Sequence, residues 1–450
     1  MELSGKRVLV IGLGRTGIET VRFLVRRGAE VVATDEKPAS ELREAFAAIE
    51  MDRHRFAFLA VDDAVGRGVD LVVPSPGVAP FNRILAEAVK RGIPVMSELE
   101  LAGRFLRRPM IAITGTNGKT TTTTLIGEIL RKAGKSVFVG GNIGSPLIGF
   151  ADGKQETECA VVEVSSFQLQ WTSRFRPDVA VLLNVTPDHV DYHGSFAEYR
   201  RIKERIFENQ TGRDRAILNA EDPRTADLSA GLAAEVECFS ASGRVRRGMF
   251  LDRGNLVHCR GPEGAEEVYP LDIIRIPGAH NIENVMAAIM ASRVSGCSRE
   301  AVIRAVRDFT GIAHRIEFAG EKGGVAFYDD SKATNAGAVL RALEAFPRPV
   351  ILLMGGRDKE GDFDSLAATV KGRVKGLVLF GEARAKIGDR IGGIVATDQA
   401  ATLRDAMELA WRRAAAGDVV LLSPGCASFD EFADYRARGD FFKKWVGNLS

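Results

Sequence analysis

A chain of 450 residues with 45% hydrophobic and 27% charged side chains has room for about three domains and is too apolar for wholesale disorder. Lys plus Arg total 61 against 59 for Asp plus Glu, and a net charge of +2 excludes an electrostatic case for nucleic-acid or membrane-surface binding. No apolar run reaches the roughly 18 residues that cross a bilayer, a strand pattern starting at Arg7 leaves no room for a signal peptide, and the five cysteines (Cys159, Cys238, Cys259, Cys297, Cys426) have neither metal-ligand spacing nor the look of a disulfide framework, so a cytoplasmic protein without membrane insertion is expected.

Short apolar runs alternate with longer amphipathic ones, the pattern of parallel α/β architecture. Three domains are expected, over 1–97, 98–311 and 312–450. In the first, strands are predicted near 8–11, 31–33, 71–73 and 94–96. The first runs into Gly12-Leu13-Gly14-Arg15-Thr16-Gly17, and Asp35 ends the second. Gly-x-Gly-x-x-Gly between strand and helix fits a dinucleotide or another diphosphate on the helix N-terminus, with the acid on a ribose hydroxyl. By itself the motif is weak. The turn Ser75-Pro76-Gly77 either lines the same cleft or is a rigid surface turn.

A linking helix over 98–106, stopped by Pro109, leads to the strongest signal. An apolar strand over 110–113 runs into Thr114-Gly115-Thr116-Asn117-Gly118-Lys119-Thr120-Thr121, with a helix beginning near Thr121. Backbone N–H groups of such a turn cradle phosphate oxygens; Lys119 would reach the β and γ phosphates, and the Thr120 hydroxyl would hold Mg²⁺. The spacing is two residues tighter than the general P-loop. A strand over 159–164 ends at Glu163, a carboxylate placed to ligate Mg²⁺ beside that loop. The next, over 179–184, runs into Thr186-Pro187-Asp188-His189, where His189 reads equally as ligand, base or turn residue. Lys203, on a helix over 196–208, is by default solvated. Residues 238–275 read as a small strand-rich insertion. Strands over 350–354, 376–380 and 419–422 belong to the third domain, with a third glycine turn near Gly355.

These runs, continued by Gly278-Ala279-His280-Asn281-Ile282-Glu283-Asn284, His314-Arg315 and Asp330-Ser331-Lys332-Ala333-Thr334-Asn335, resemble the Mur ligases, ATP-dependent amide-bond enzymes of peptidoglycan synthesis. The turn at Gly12, Ser75-Pro76-Gly77 and Ser423-Pro424-Gly425-Cys426-Ala427-Ser428-Phe429-Asp430 narrow the resemblance to the branch that adds D-glutamate. The resemblance covers essentially the whole chain. It implies an N-terminal Rossmann-like sheet, a central P-loop mononucleotide-binding α/β domain and a C-terminal Rossmann-like α/β domain.

It also implies roles. Gly115, Thr116, Asn117, Gly118, Lys119, Thr120 and Thr121 would cradle ATP together with Asn281, Asn284, Arg315 and Asp330. Thr120, Glu163, His189 and Lys203 would hold two Mg²⁺, Lys203 as a carbamylated lysine, which reverses its solvated default. Lys119, His189 and Lys203 would be catalytic. Thr16, Asp35, Ser75, Gly77 and Asn142 would contact UDP-N-acetylmuramoyl-L-alanine. Lys332, Thr334, Lys359, Ser428 and Tyr435 would surround D-glutamate, with Tyr435 where the family commonly carries Phe.

The chemistry expected is phosphorylation of the alanyl carboxylate to an acyl phosphate, then attack by the D-glutamate amine. A monomer whose C-terminal domain closes to exclude water is expected. Three other readings remain: a sister ligase specific for another amino acid, a nucleotide-driven switch without turnover, and an NAD enzyme.

Overall fold

The computed structural model describes residues 1–49, 55–59, 68–259, 261, 266–346, 349–358 and 362–449. Aliphatic and β-branched runs such as Leu71–Pro74 and Met110–Thr114 are buried throughout, as expected of strands covered on both faces by helices. Among the described residues they build three sheets, of four, nine and six strands. The chain divides into two compact units. Met1–Ile273 with Ile282–Val306 form the first, which holds the four- and nine-stranded sheets; Ile274–Asn281 with Arg307–Ser450 form the second. Residues 274–281 and 307–311, expected in the central domain, therefore group with the C-terminal sheet.

In the first sheet the order is Phe56–Phe58, Glu30–Thr34, Arg7–Ile11, Leu71–Pro74, all parallel. The segment near 94–96 makes only an isolated bridge, Val72 to Val95. In the second sheet, Met110–Thr114 lies between Cys159–Glu163 and Val179–Leu182, with Val137–Gly141 beyond the former and Arg215–Asn219, Glu235–Ser240 and Gly248–Asp252 beyond the latter. The expected insertion takes the form of Asn255–Cys259 and Glu266–Pro270, added antiparallel at that edge. In the third sheet, Val350–Gly355 sits between Val419–Gly425 and Val374–Phe380. The hairpin Glu317–Lys322 with Val325–Asp329, which the sequence pattern did not announce, forms one edge.

In each sheet one strand has successive neighbours on opposite sides: Arg7–Ile11, Met110–Thr114 and Val350–Gly355. At such a switch point the connections leave in opposite directions, opening a crevice at the carboxyl ends of the strands. The three glycine turns seen in the sequence stand at these three ends.

Within the first unit the N-terminal and central sheets are tied by the helix Glu98–Gly103, capped by Ser97 through the Glu100 N–H. Glu98 is 1% exposed and its carboxylate accepts the Ile148 N–H at 2.6 Å, at the start of the helix Leu147–Asp152. Arg26 of the helix Arg15–Arg26 makes an ion pair with Asp152 on the same helix. Burial pushes the Glu98 carboxyl up from 4.5 to about 7. A carboxyl whose folded pKa is raised binds its proton more tightly when folded. Its contribution is therefore fully present below about pH 4.5 and lost as pH rises toward 7, by about 3 kcal/mol in total. Glu98→Gln keeps an acceptor for Ile148 and removes the titration; urea unfolding between pH 5 and 8 is expected to show a flatter pH dependence and a more stable variant at pH 8.

Candidate active site

The turn after Met110–Thr114 is shaped by two glycines in the left-handed half of backbone space, Gly115 (φ 151°) and Gly118 (φ 83°). Gly118 caps the helix Lys119–Lys132, which starts two residues earlier than the sequence suggested. A Cβ on Gly118 would lie 2.1 Å from Asn284 Oδ1, so backbone conformation and space both demand glycine. The loop is braced from the neighbouring strand end: Thr116 N–H donates to Asn184 O, and Asn117 N–H to Asn184 Oδ1, both at 2.9 Å. The first-turn amides of a helix have no intrahelical partner, which makes this N-terminus suited to bind an anion.

Two lysines meet at this loop. Lys119 Nζ donates to Gly115 O and Thr116 O, each at 2.8 Å. Lys203, from the helix Phe196–Glu204, donates to the same Gly115 O at 2.8 Å. Lys203 is 1% exposed, not solvated. Burial first, and the Lys119 charge second, hold its amine well below the usual lysine range, against Asp188 and Glu163. The helix ends at Glu204, followed by a single 3₁₀ turn, Arg205–Phe207, in place of the continuous helix to 208.

Register fixes the carboxylate. Ile113, two residues before Gly115, pairs with Glu163, which pairs on its other side with Gly141. Glu163 Oε1 accepts from Asn142 Nδ2 at 2.8 Å, while Oε2 is buried without a hydrogen-bond partner. Asn142, expected on the UDP-sugar, here holds Glu163. His189 is exposed in a left-handed conformation (φ 51°) with its ring 3.6 Å from Asp188. The histidine sealed into this wall is His193, 8% exposed, with Nε2 3.0 Å from Ser166 Oγ and its ring stacked on Phe167. Its tyrosine neighbours, Tyr192 and Tyr199, are pushed up to about 12 by burial.

At the first sheet's switch point, Asp35 accepts the N–H groups of Leu13 at 2.6 Å and Lys37 at 2.9 Å. Ser75 Oγ donates to Gly12 O at 2.9 Å, and Gly17 packs so closely that a Cβ would lie 1.9 Å from that oxygen. The structure thus brings Asp35 and Ser75 to the glycine turn, which carries Thr16 in its helix; Gly77 is exposed. Tyr192 Oη donates to Val78 O, joining this turn to the central domain.

In the second unit, Asp330 follows the hairpin strand Val325–Asp329. Burial raises its carboxyl to about 7; Ser423 Oγ donates to it at 2.8 Å and Ile316 N–H at 3.3 Å. The exposed Arg315 stands between two non-glycine residues in left-handed conformation, His314 (φ 64°) and Ile316 (φ 46°). Such backbone persists only where its surroundings over-determine it. Here His314 Nδ1 lies 2.7 Å from Asp329 Oδ2, His314 N–H donates to Glu317, and Lys332 N–H donates to His314 O. Lys332 Nζ lies 5.9 Å from the centre of the Tyr435 ring.

Ser331 Oγ donates to Tyr435 O, and the fully buried Arg438 donates to Ser331 Oγ, Ser331 O, Cys426 O and Ala427 O. This arginine gathers the loops bearing Lys332, Thr334, Ser428 and Tyr435, and burial lowers it to about 10. Asn281 donates to Pro277 O within the same unit. Lys359 lies outside the described residues. Sequence reasoning missed Asp329, His193 and Arg438. Arg438 and His193 carry no motif; Asp329 is the neighbour of the motif acid and was shadowed by it.

Comparison with known proteins agrees along the whole chain. Family models described as the Mur ligase MurD-like N-terminal domain, the Mur ligase middle domain and the Mur ligase glutamate ligase domain match residues 6–97, 113–292 and 314–426. A UDP-N-acetylmuramoylalanine–D-glutamate ligase of Syntrophus aciditrophicus is 59% identical over 448 residues, covering 99% of this chain and 98% of that protein. The fold resembles a pseudomurein peptide ligase type C from Methanothermus fervidus (TM-score 0.59, 16% identity, 99% of this chain and 100% of that one). It also resembles MurF ligase from Thermotoga maritima in complex with ADP (TM-score 0.56, 18% identity, 99% and 96%). The chain belongs to the Mur ligase family.

Proposed function

We propose that the protein joins D-glutamate to the alanyl carboxylate of UDP-N-acetylmuramoyl-L-alanine at the expense of ATP, in cytoplasmic synthesis of the peptidoglycan precursor. The observation that carries the reading is the meeting of Lys119, Lys203 and Glu163 at the carboxyl end of one strand, around a glycine loop that opens a helix. The 59% identity to a ligase of that name supports the choice of substrates.

A carboxylate does not condense with an amine in neutral water, because its carbon is a poor electrophile. Transfer of the γ-phosphoryl group makes an acyl phosphate; the amine then adds to its carbonyl carbon, and phosphate leaves as the amide forms. Anions meet in both steps, and the chain supplies compensation. Lys119 and the helix N-terminus face the phosphates. Thr120, Glu163 and, in the family's manner, His189 would hold Mg²⁺, which fits because Glu163 Oε2 is a buried carboxylate oxygen with no other partner. When bound, Mg²⁺ would withdraw negative charge from the phosphate oxygens.

Lys203 suits carbamylation. Burial and the adjacent Lys119 favour the neutral amine, the form that adds to carbon dioxide, forming an N–C bond and releasing a proton; the resulting carbamate anion would sit beside Lys119. It would then serve the second Mg²⁺. Asn281, Asn284, Arg315 and Asp330 are assigned to ATP, the pair Asp329–His314 being the brace that holds Arg315. Thr16, Asp35, Ser75, Gly77 and Asn142 are assigned to the UDP-sugar. Lys332, Thr334, Lys359, Ser428 and Tyr435 are assigned to D-glutamate, ammonium groups suiting its carboxylates as mobile point charges.

Phosphate release from ATP with UDP-N-acetylmuramoyl-L-alanine tests the reading: D-glutamate is expected to drive it at least tenfold faster than L-glutamate, L-alanine or diaminopimelate, and equal rates would refute the specificity. Lys203→Ala is expected to lower turnover by a hundredfold or more. Wild-type enzyme in buffer stripped of carbon dioxide should lose activity and regain it on adding bicarbonate, and indifference to carbon dioxide would exclude the carbamate. Asp329→Asn should reduce kcat/KM for ATP about tenfold through Arg315 while leaving KM for the UDP-sugar within twofold; an equal loss for both substrates would mark a general folding defect instead.

A further inference from the structure

A cavity of about 230 Å³ lies at the edge of the nine-stranded sheet, lined by Arg215, Glu237, Arg247, His258, Arg293 and Val294. None of these residues takes part in the chemistry above. Arg215 opens the strand Arg215–Asn219, whose other end, Asn219, donates to Leu183 O beside the phosphate loop. The cavity thus includes the amino end of Arg215–Asn219, the end of that strand away from Asn219. On the helix Ala279–Val294, Arg293 stands nine residues beyond Asn284, about 13 Å along the axis.

Its lining is almost wholly ionic, and its donors exceed its acceptors. Arg215 Nη1 and Arg247 Nη2 converge on a single oxygen, Glu235 Oε2, at 2.7 and 2.6 Å. Each guanidinium offers five N–H groups, so most remain to be used. Arg247 Nε is buried with no hydrogen-bond partner and is 4.0 Å from Glu237 Oε1. His258, 2% exposed, has Nε2 3.2 Å from Glu237 Oε2, and its Nδ1 is also buried without a partner. Arg293 differs: its guanidinium is engaged by Glu267 and by Cys297 O, and it serves as a wall. Arg247 Nε and His258 Nδ1 are both closed off from solvent, so the donors that the cavity still offers are the remaining N–H groups of Arg215 and Arg247.

We propose that this cavity is a second anion site, separate from the catalytic crevice, which takes the phosphate or carboxylate group of a small metabolite on the unused donors of Arg215 and Arg247. A pair of guanidinium forks recognises either oxyanion. The volume is below that of pockets for drug-sized molecules, which limits the ligand to a small one. Glu235, 40% exposed at its side chain, is the group an incoming oxyanion would displace from the two arginines.

The test is calorimetric titration of the full-length protein, with the catalytic loop filled by saturating ADP and Mg²⁺. Inorganic phosphate and citrate are titrated separately, with potassium chloride as control. Saturable binding of phosphate alone identifies a phosphate ligand, and of citrate alone a carboxylate ligand; either supports the site. Arg247→Gln and Arg215→Gln are each expected to weaken binding at least tenfold, and Arg247→Lys, which keeps the charge and loses the fork, by a smaller factor. All three should retain the wild-type melting temperature within a few degrees and wild-type phosphate release in anion-free buffer. Absence of saturable heat with both anions, or wild-type affinity in folded Arg247→Gln and Arg215→Gln, would overturn the proposal.

Discussion

One carbonyl oxygen, that of Gly115, accepts hydrogen bonds from two lysines. Two ammonium groups cannot sit side by side in a buried place without cost, and the structure resolves the conflict asymmetrically. Lys119, on the first turn of a helix that opens into the crevice, remains partly exposed. Lys203 is enclosed, and enclosure together with its neighbour's charge favours the neutral amine. Beside this pair, strand register places Glu163, whose Oε2 is buried without a hydrogen-bond partner. Shifting the Glu163 strand by one residue would turn that carboxylate to the other face of the sheet.

Much of this was legible in the sequence because it is local. A strand followed by Gly-x-x-Gly-Lys-Thr places the phosphate loop without knowledge of the rest of the chain, and Gly12 and Gly355 mark their switch points in the same way. Placing Glu163 beside the loop needed only the strand end and the motif. Other features depend on contacts distant in sequence and left no pattern. Lys203 looks like one basic residue among many on a polar helix, and only its packing against the loop makes it different. His189 and His193 are four residues apart, yet one is exposed and the other sealed against Phe167. The edge hairpin Glu317–Lys322 with Val325–Asp329 is short, glycine-interrupted and half polar, so its apolar alternation is too weak to read. Arg438 is a residue type usual at the surface and is fully buried, because three backbone carbonyls and the Ser331 hydroxyl, which no sequence pattern reports, accept its N–H groups.

The readings that competed with the ligase part company on the same evidence. An NAD enzyme would leave the Lys119 loop without a task, and family membership removes that reading. Choosing among amino acids is a matter of few contacts, and the residues proposed for D-glutamate all fall within the sequence of the second unit. Among the described residues of that unit, one guanidinium, that of Arg438, holds the loops bearing Ser331, Cys426 and Ala427. Specificity built on loops tolerates variation in the scaffold while remaining sensitive to the groups that pin them.

That pin has a temporal consequence. Arg438 and the Ser331 it holds are separated by 107 positions. On the ribosome, at roughly 5–20 residues per second, the Ser331 loop would wait about 5–20 seconds before its partner is even synthesised. Throughout that interval the Ser331 loop lacks its anchor, so chaperones and proteases would meet a half-finished C-terminal lobe in every round of translation. A premature stop before Arg438 would leave the nucleotide loop's coding sequence intact while discarding the clamp.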